Sequence, residues 1–433
     1  MSHQASRRQW VLACGGRYWP RGADAVTALP MPSAQLTHGD PGELAEIALP
    51  DWASDLGVDG ALLAFSSAVA PSEEAEAWQR CDWIAIVWHM LAGSAEREHE
   101  ARHGPVLSYA FRLPRAHHRL FDSAWANRIF LFLRRWAARE RSLPEEALFG
   151  PLPAASIVLT HDVDAIDLTP EIRAKQTVFQ LANGARALLR GDLDTTGARL
   201  RDAARFAFSA GDFRTLGKIR EMEQAAGLRS ILHFYGGPSG LRRGSPRRLL
   251  IDPGYDIASP YLRTELAALR EGGWTIGLHQ SFDAWEDASR MQAERARLAD
   301  AAGVEVAHCR QHWLHFSWER TWAAQEAAGL SFDTTLGFND RPGFRAGHAL
   351  RFHPWDFSRD TPMRLAATPM IFMDSHFYDY GGSDRSDIAG RMKRWLDEVR
   401  AVRGEATVNW HNHTITKTYG WGAGYEDLLS LVS

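Results

Sequence analysis

From residue 156 onward, short apolar runs alternate with longer segments in which apolar residues recur every three or four positions. Runs such as SIVLTHD (156–162) and WTIGLH (274–279) have the length and composition of buried strands. The longer segments have the spacing of amphipathic helices, and several of them end at a glycine. Helix, glycine and strand repeated in this order predict an α/β fold, in which crossover helices join parallel strands.

The same pattern gives the order of the remaining elements. Further strands are predicted at RSILHFYGG (229–237), VEVAHCRQHW (304–313), SFDTTLG (331–337) and ATVNWHNHT (406–414). Helices are predicted over a long Ala-, Arg- and Leu-rich segment (171–210), KIREMEQAAGL (218–228), PYLRTELAALREGG (260–273), SRMQAERARLADAAG (289–303), ERTWAAQEAAGL (319–330) and MKRWLDEVRAVRG (392–404). In such folds the residues that follow the strands gather at one mouth of the sheet.

The first 150 residues have a different pattern. Apolar segments at 61–70 and 81–93 precede LFDSAWANRIFLFLRRWAARE (120–140), which has helical spacing, and none of them carries a chemical motif. Two prolines and a glycine interrupt the pattern in FGPLPAAS (149–156). We therefore predict an accessory α/β domain of unknown role at 1–150 and a catalytic domain at 151–433.

Composition narrows the function classes. Hydrophobic residues make up 45% of the chain and charged residues 24%, as in ordinary soluble globular proteins. A net charge of −4 gives no reason to expect nucleic acid or a membrane as a partner. Three widely spaced cysteines fit a reducing compartment, and the sequence shows neither a signal peptide nor a run long enough to span a bilayer. We therefore expect a cytoplasmic enzyme.

The strand predicted at 156–162 runs into two carboxylates. Side chains two positions apart on a strand share a face, so Asp162 and Asp164 project together. They repel each other unless a cation or a proton lies between them. The alternative interpretation is a loop with a helix cap, where Asp and Ser are common. The ends of the other predicted strands favour a shared polar site, since they carry His279, Arg310, His312 and His411.

A hydrolytic metal site needs a few His or carboxylate ligands, a base and an acid. The order of the candidates above resembles the polysaccharide deacetylase family, the NodB-homology carbohydrate esterases (carbohydrate esterase family 4), over residues 155–425. This resemblance implies a distorted (β/α) barrel of the NodB-homology type for the C-terminal domain. It also implies a metal-dependent hydrolase.

The first two family motifs supply the base and the metal ligands. T-F-D-D-G matches Thr160 to Asp164, in a D-x-D form similar to that of the peptidoglycan and cyclic-imidase-like branch, which implies Asp162 as the base and Asp164 as a ligand. H-[ST]-x-x-H matches His279 to Asp283, which implies His279 as a ligand and leaves Asp283 where a second histidine is expected. The third ligand is either Asp283, since a carboxylate can bind the same cation, or His312, which is slightly favoured.

The last two motifs supply an arginine and an acid. The family pairs an Arg with the base, which implies Arg310, and this pairing would keep the base ionised. A strand that ends in His implies His411 as the general acid, with His413 as a wall of the site or a substrate contact. The alternatives are an ordinary core histidine for His279, a structural ion pair for Arg310 and, for His411, a mid-strand histidine whose hydrogen bonds are satisfied.

The segment FNDRPGFRAGHALRFHPWDF (338–357) is rich in Gly, Pro, Arg and aromatic residues. It resembles the mobile loop that supplies substrate contacts in this family, so Asp340, Arg345 and Trp355 are candidates for sugar binding. The alternative is a folded surface loop with its own salt bridges. Asp374 and His376 in MDSHFYDYGG (373–382) are weaker candidates of the same kind.

The favoured function is removal of an N- or O-acetyl group from a carbohydrate, with zinc as the default metal and cobalt, nickel or manganese as alternatives. The expected substrate is a nucleotide- or lipid-linked precursor in surface polysaccharide biosynthesis. Three other functions compete with it: hydrolysis of a formamide or cyclic imide by the same residues, a non-haem iron oxygenase built on two His and one carboxylate, and a metal-free glycan-binding pseudoenzyme. The sequence does not indicate an oligomeric state.

Overall fold

The computed structural model describes residues 3–71, 75–209, 211, 213–239, 251–380 and 387–433. Its strands are β1 (Leu44–Ala48), β2 (Ala61–Phe65), β3 (Ser156–Val163), β4 (Ile231–Tyr235), β5 (Thr275–Gln280), β6 (His308–Gln311), β7 (Phe332–Asp333), β8 (Trp355–Asp356), β9 (Thr361–Pro362), β10 (Ala366–Ala367), β11 (Met370–Met373) and β12 (Glu405–Asn409). Its α-helices are α1 (His3–Cys14), α2 (Ala23–Thr27), α3 (Trp83–Leu91), α4 (Ser94–His103), α5 (Trp125–Glu140), α6 (Glu145–Phe149), α7 (Pro170–Leu189), α8 (Leu193–Phe208), α9 (Leu216–Ala225), α10 (Pro260–Glu271), α11 (Ala288–Ala302), α12 (Thr321–Ala327), α13 (Ser375–Tyr378), α14 (Ile388–Ala401) and α15 (Gly422–Val432).

The described residues form an eight-stranded sheet in the order β10-β7-β6-β5-β4-β3-β12-β11, and every pair in it is parallel. In a flat sheet its two outermost strands would lie about 33 Å apart. Here β10 ends at Ala367 and β11 begins at Met370, so three peptide units join them, a reach of about 11 Å at most. The sheet must therefore curl until its edges approach each other. This confirms the predicted α/β fold with a distorted barrel.

Most predicted elements of the C-terminal half are present. The strands predicted at 304–313 and 406–414 are shortened to β6 and β12, so that His411 and His413 follow β12, and two further elements differ. The segment expected to be a single helical stretch at 171–210 is a hairpin of α7 and α8, which turns at Gly191 with φ +75° (residue 210 lies outside the described residues). The strand predicted at 331–337 is reduced to β7, which has two residues. In the first case a glycine-containing turn ends the helix, and in the second polar residues follow the strand. Both elements therefore end although apolar residues continue further along the sequence.

The N-terminal region contains α1 to α6 and the antiparallel pair of β1 and β2. Apart from the half-buried Trp52, which packs against it, its tryptophans belong to one buried hydrophobic cluster that also includes Val408 and Leu429 of the C-terminal half. The region therefore shares its core with the barrel, and the boundary near residue 150 stays a prediction. Within the described ranges, no helix is long and apolar enough to cross a membrane.

Candidate metal centre

The polar side chains predicted at strand ends meet at one mouth of the barrel. Asp162 is the last residue but one of β3, and Asp164 directly follows this strand. His279 of β5 is paired in register with Arg310 of β6, and His312 follows β6. Because the strands are parallel, their carboxyl ends point the same way and bring these side chains together.

Three of these residues form a group that could hold a metal ion. One ligand atom each from Asp164, His279 and His312 lies within 4.8 Å of the other two. Asp164 Oδ1 lies 3.3 Å from His279 Nε2 and 3.7 Å from His312 Nε2. This oxygen is buried, and in the described part of the chain it makes no hydrogen bond of good geometry. A buried carboxylate oxygen facing two imidazoles is a donor set that suits a divalent ion.

The two imidazoles are held with Nε2 towards Asp164. His279 Nδ1 lies 2.9 Å from the carbonyl oxygen of Arg310, which can only accept, so Nδ1 carries the proton. His312 Nδ1 lies 3.3 Å from Asp252 Oδ1, and this oxygen also accepts a 2.7 Å hydrogen bond from the Phe282 N–H. A carboxylate or carbonyl behind each imidazole is the usual way of orienting a metal-binding histidine.

The geometry favours His312 over Asp283 as the third ligand. Asp283 lies in the short 3-10 turn Phe282–Ala284 after β5. It is not a member of the ligand group found among the described residues. The backbone of that turn serves the site in another way, since the Phe282 N–H fixes the carboxylate of Asp252.

Asp162 lies on the floor of the site and is surrounded by donors. Arg310 Nη1 donates to Asp162 Oδ1 at 3.2 Å, and Asn409 Nδ2 donates to Asp162 Oδ2 at 3.1 Å. Burial alone would raise the pKa of Asp162, but the charges of Arg310 and His279 outweigh it and hold this pKa well below its usual range. Asp162 is therefore an ionised carboxylate at neutral pH. His233 Nδ1 approaches the same Oδ1 to 3.5 Å.

Arg310 is itself fixed from several directions and is completely buried. It donates from Nε to the Thr334 carbonyl at 3.0 Å and from Nη1 to Thr160 Oγ1 at 2.8 Å. These hydrogen bonds hold its guanidinium beside Asp162.

His411 faces Asp164 from the other side of the site, with 3.7 Å between His411 Nε2 and Asp164 Oδ2. Its Nδ1 lies 2.6 Å from Oδ1 of Asp374, and Thr414 Oγ1 donates to the second oxygen of this buried carboxylate at 2.7 Å. Burial alone would lower the pKa of His411, but Asp374 outweighs it and raises this pKa to about 10. Asp374, a weaker candidate for substrate contact, instead lies behind His411.

His413 forms part of the wall of the same mouth. Its ring packs against Tyr419 at 4.9 Å, Phe213 at 5.7 Å and His411 at 5.7 Å. Burial lowers the pKa of His413 to about 4, so the imidazole is neutral at neutral pH. Its Nδ1 has no hydrogen-bond partner among the described residues. This position is compatible with the predicted role as a wall or substrate contact.

The other substrate-binding candidates need correction, because the segment 338–357 packs against the N-terminal region. Both oxygens of Asp340 accept backbone N–H groups, from Ala110 at 2.8 Å and Phe111 at 3.1 Å. Trp355 is 2% exposed and lies 5.5 Å from the rings of both Trp10 and Trp88. A side chain enclosed in this way offers no face to a sugar.

Arg345 is also buried, with no exposed surface. Its guanidinium donates to Glu96 Oε2 at 2.8 Å from Nη2, and from Nη1 to Ser108 Oγ at 2.6 Å and to the Gly337 carbonyl at 2.9 Å. These bonds engage every nitrogen of a buried guanidinium, which corrects its predicted contact with substrate. Ser108 in turn donates to the carbonyl oxygen of Leu314, so Arg345 supports the loop that follows His312.

That loop presents an aromatic ring that sequence reasoning missed. Trp313 is 43% exposed beside His312, and both Trp313 and Leu314 have positive φ, at 55° and 46°. Non-glycine residues are uncommon in this region and persist where surrounding contacts enforce it. Asn339 Nδ2 donates to the Trp313 carbonyl at 2.8 Å and supplies such a contact.

No family model and no curated protein match the chain. Several solved structures do match the chain. One belongs to a protein assigned as a polysaccharide deacetylase from Mycobacterium smegmatis; it is 13% identical, with a TM-score of 0.36, over 65% of this chain and 83% of that one. Two are mutants of a CE4 family pseudoenzyme, one with restored enzymatic activity, at 8% and 9% identity and TM-scores of 0.30; they cover 64% and 67% of this chain and 61% and 67% of theirs. Sequence identities and TM-scores this low assign no role to any residue of this chain. The roles discussed below are therefore argued from the geometry of the site.

Proposed function

We propose that this protein is a metal-dependent hydrolase that removes an acetyl group from a carbohydrate. The observation that supports this most directly is the buried Asp164 Oδ1, which makes no hydrogen bond of good geometry within the described part of the chain and faces the Nε2 atoms of His279 and His312. An ionised Asp162 and a protonated His411 flank that group on different sides. Hydrolysis of an amide or ester needs all of these parts in one site.

The residues present fit a divalent cation. Asp164, His279 and His312 would hold it, and the carbonyl of Arg310 and the carboxylate of Asp252 would keep the two imidazoles in the ligating tautomer. A divalent ion polarises a carbonyl oxygen and lowers the pKa of water. Two nitrogen donors and one carboxylate make zinc the first choice, with cobalt, nickel and manganese as alternatives.

The proton transfers are assigned to two residues. Asp162 accepts the proton of the attacking water, because Arg310 and Asn409 keep its carboxylate ionised and fixed in position. His411 carries a proton at neutral pH and donates it from Nε2 to the departing amine or alcohol, while Asp374 binds Nδ1 and fixes the ring. Base and acid thus have pKa values displaced in opposite directions by their surroundings.

The substrate proposal depends on the exposed ring beside the site. Trp313 is the exposed aromatic residue next to His312, and a flat indole face suits the apolar side of a sugar ring. We assign the sugar platform to Trp313 in place of Trp355. An acetylated precursor of a surface polysaccharide, carried on a nucleotide or a lipid, is the proposed substrate class.

The test combines metal content with acetate release. The purified protein is stripped of metal, titrated with Zn²⁺ or Co²⁺, and incubated with a panel of N- and O-acetylated sugars. We expect wild type to bind one ion and release acetate, Asp164→Asn to lose both properties, and Asp162→Asn to keep the ion while acetate release falls about 100-fold or more. Glu305→Gln, on an exposed side chain, is the control and should match wild type.

Each other outcome contradicts the proposal in a defined way. Metal binding without acetate release, but with hydrolysis of a formamide or cyclic imide, would assign the site to that chemistry. Oxygen consumption by an iron-loaded protein would indicate an oxygenase. Neither metal binding nor hydrolysis would leave a glycan-binding pseudoenzyme.

A further inference from the structure

The hairpin of α7 and α8 exposes large apolar side chains to solvent. Among the described residues, eight of the twelve exposed large hydrophobic side chains belong to it, so they are concentrated in one element. At its tip Leu188 is 55% exposed, Leu189 88% and Leu193 71%. The others are Val178, Phe179, Leu181, Leu200 and Phe208. Scattered surface leucines need no explanation, but a contiguous set marks an interaction surface.

The inner contacts of the hairpin are mostly small or polar, and Phe206 is the large apolar exception. Gly184 and Ala187 of α7 and Ala203 of α8 are buried, and Arg199 Nη1 donates to Gln180 Oε1 at 3.1 Å in the same layer. A surface helix normally has the opposite arrangement, with its large apolar residues turned towards the protein. Packing of the hairpin on the barrel therefore does not explain why its large apolar side chains point outward.

The exposed apolar residues follow helical spacing on both helices. On α7 the residues at 178, 181, 185 and 188 lie on one face, and on α8 so do those at 193, 197, 200 and 204. Ala185 and Ala204 are exposed like the larger residues of these stripes. The hairpin thus presents a two-helix apolar face, which we call the outer face.

Charge identifies the partner that suits the outer face. Residues 170–208 contain seven basic and four acidic side chains, a net charge of +3 in a chain whose net charge is −4. Arg186, Arg190 and Arg201 are exposed among the apolar residues. Asp192 and Asp194 at the tip are exposed as well, so the hairpin carries both signs with an excess of positive charge. A two-fold dimer through this face would bring that excess against itself, since such an interface pairs a patch with itself. An anionic lipid surface instead matches both the charge and the apolar side chains.

The hairpin also stands beside the mouth of the site. Lys175 of α7 places Nζ 5.7 Å from the centre of the Trp313 ring. On the other side of the mouth, Arg199 donates to Asp379 Oδ1 at 3.2 Å, and Phe206 packs 4.8 Å from Tyr419. These contacts fix the hairpin to loops on both sides of the mouth. Leu188 at the tip lies 13 residues along α7 from Lys175, so a surface bound to the tip would lie about 20 Å from that contact at the mouth.

We propose that the outer face docks this protein on the interfacial region of an anionic phospholipid bilayer, with Leu188, Leu189 and Leu193 entering the acyl boundary and the arginines contacting headgroup phosphates. The docking is peripheral, because no described helix is apolar enough to span the bilayer. Docking on a bilayer would favour a lipid-linked sugar over a nucleotide-linked sugar as the substrate. This statement about the substrate depends on the proposed function, whereas the docking proposal does not.

The test is flotation of the purified full-length protein with vesicles of phosphatidylcholine alone or mixed equally with phosphatidylglycerol. We expect binding to the anionic vesicles only. Leu189→Glu/Leu193→Glu should weaken it about tenfold or more, because two exposed leucines no longer enter the apolar layer. Arg190→Gln/Arg201→Gln should weaken it several-fold and reduce its salt dependence. The control is Leu143→Glu, a leucine that is 47% exposed on the turn between α5 and α6 and should not matter.

Three outcomes would overturn docking on lipid. They are the absence of binding by wild type, equal binding to both vesicle types, and an equal loss in Leu143→Glu. A wild-type dimer in lipid-free solution that Leu189→Glu/Leu193→Glu dissociates would identify a second copy as the partner instead. Zn²⁺ titration of the same variants separates docking from the proposed function, since the hairpin variants should bind metal like wild type even when vesicle binding is lost.

Discussion

The floor and the rim of the site contain carboxylates only two residues apart, yet they differ in how they are neutralised. On the floor, Asp162 has a permanent cation, since Arg310 is buried beside it and bound to the barrel by further hydrogen bonds. On the rim, Asp164 faces His279, His312 and His411, and its Oδ1 lacks a hydrogen-bond partner among the described residues.

This difference shows how one strand end can provide two chemical roles. A carboxylate with a fixed protein cation has no need of a metal ion and stays ionised, which the proposed function requires of the residue that accepts a proton. A carboxylate surrounded by imidazoles is suited to bind a metal ion together with them. Each imidazole must first lose the proton on its ligating nitrogen, so metal binding releases protons from this group. The predictions below test this comparison, beginning with the largest expected effect.

The floor should depend strongly on its arginine. In the metal-free protein, Arg310→Met leaves Asp162 buried and uncompensated, so we expect the free energy of unfolding in urea to fall by about 3–5 kcal/mol. Arg320→Met, which removes an exposed partner of Glu286, should cost at most about 1 kcal/mol. Adding Asp162→Asn to Arg310→Met should restore much of the loss. A loss in the single variant no larger than that of Arg320→Met would contradict the role of Arg310.

A third buried carboxylate shows what happens without a cation. Glu294 accepts hydrogen bonds only from Ser281, from N–H at 2.9 Å and from Oγ at 2.5 Å among its described contacts, and burial raises its pKa to about 7. Folded protein therefore keeps a proton that the unfolded chain has lost, so stability should fall as pH rises from 4.5 to 7 and level off above it.

The magnitude of this pH effect follows from the shift. Relative to Glu294→Gln, which does not titrate, wild type should lose about 3 kcal/mol of unfolding free energy across that interval. Urea unfolding of both proteins at the two ends of the interval measures it, and any constant cost of the substitution cancels. A difference that does not change with pH, or that changes in favour of wild type as pH rises, would contradict the prediction.

The parts of the site that lie on strands could be predicted from the sequence. Two-residue alternation placed Asp162 and Asp164 on one face, and parallel topology brought His279, Arg310 and His411 to the same mouth. Both inferences use local periodicity and the direction of the strands, which a sequence displays.

The residues behind the ligands could not be predicted in this way. Asp252 and Asp374 lie outside the strands, and their positions depend on the paths of loops. The segment 338–357 is rich in Gly, Pro, Arg and aromatic residues, and its resemblance to a family loop predicts a mobile segment that contacts substrate. It is instead covered by the N-terminal region, and Arg345 binds Glu96, 249 positions earlier. No local pattern reveals a partner at that distance.

The rim should depend on Asp252 although that residue would not touch the metal ion. Asp252→Asn weakens the acceptor that holds His312 Nδ1, so we expect Zn²⁺ affinity to fall about 10- to 100-fold with little change in unfolding free energy. Competition against a zinc-binding dye measures the affinity. Asp283→Asn is the matched control and should bind Zn²⁺ like wild type. The reverse order of effects would restore Asp283 as the third ligand.

The smallest predicted effect concerns the support that the N-terminal region gives the rim. Ser108 accepts from Arg345 Nη1 and donates to the Leu314 carbonyl, so Ser108→Ala should cost about 1 kcal/mol of unfolding free energy. Ser94→Ala removes a buried hydroxyl that lies 3.0 Å from His89 Nδ1 and should cost a similar amount. Only Ser108→Ala should also raise KM for an acetylated sugar, by a few-fold, because Trp313 adjoins the carbonyl that is released. Equal KM values in the two variants would show that Arg345 and Ser108 stabilise the fold without positioning the sugar platform.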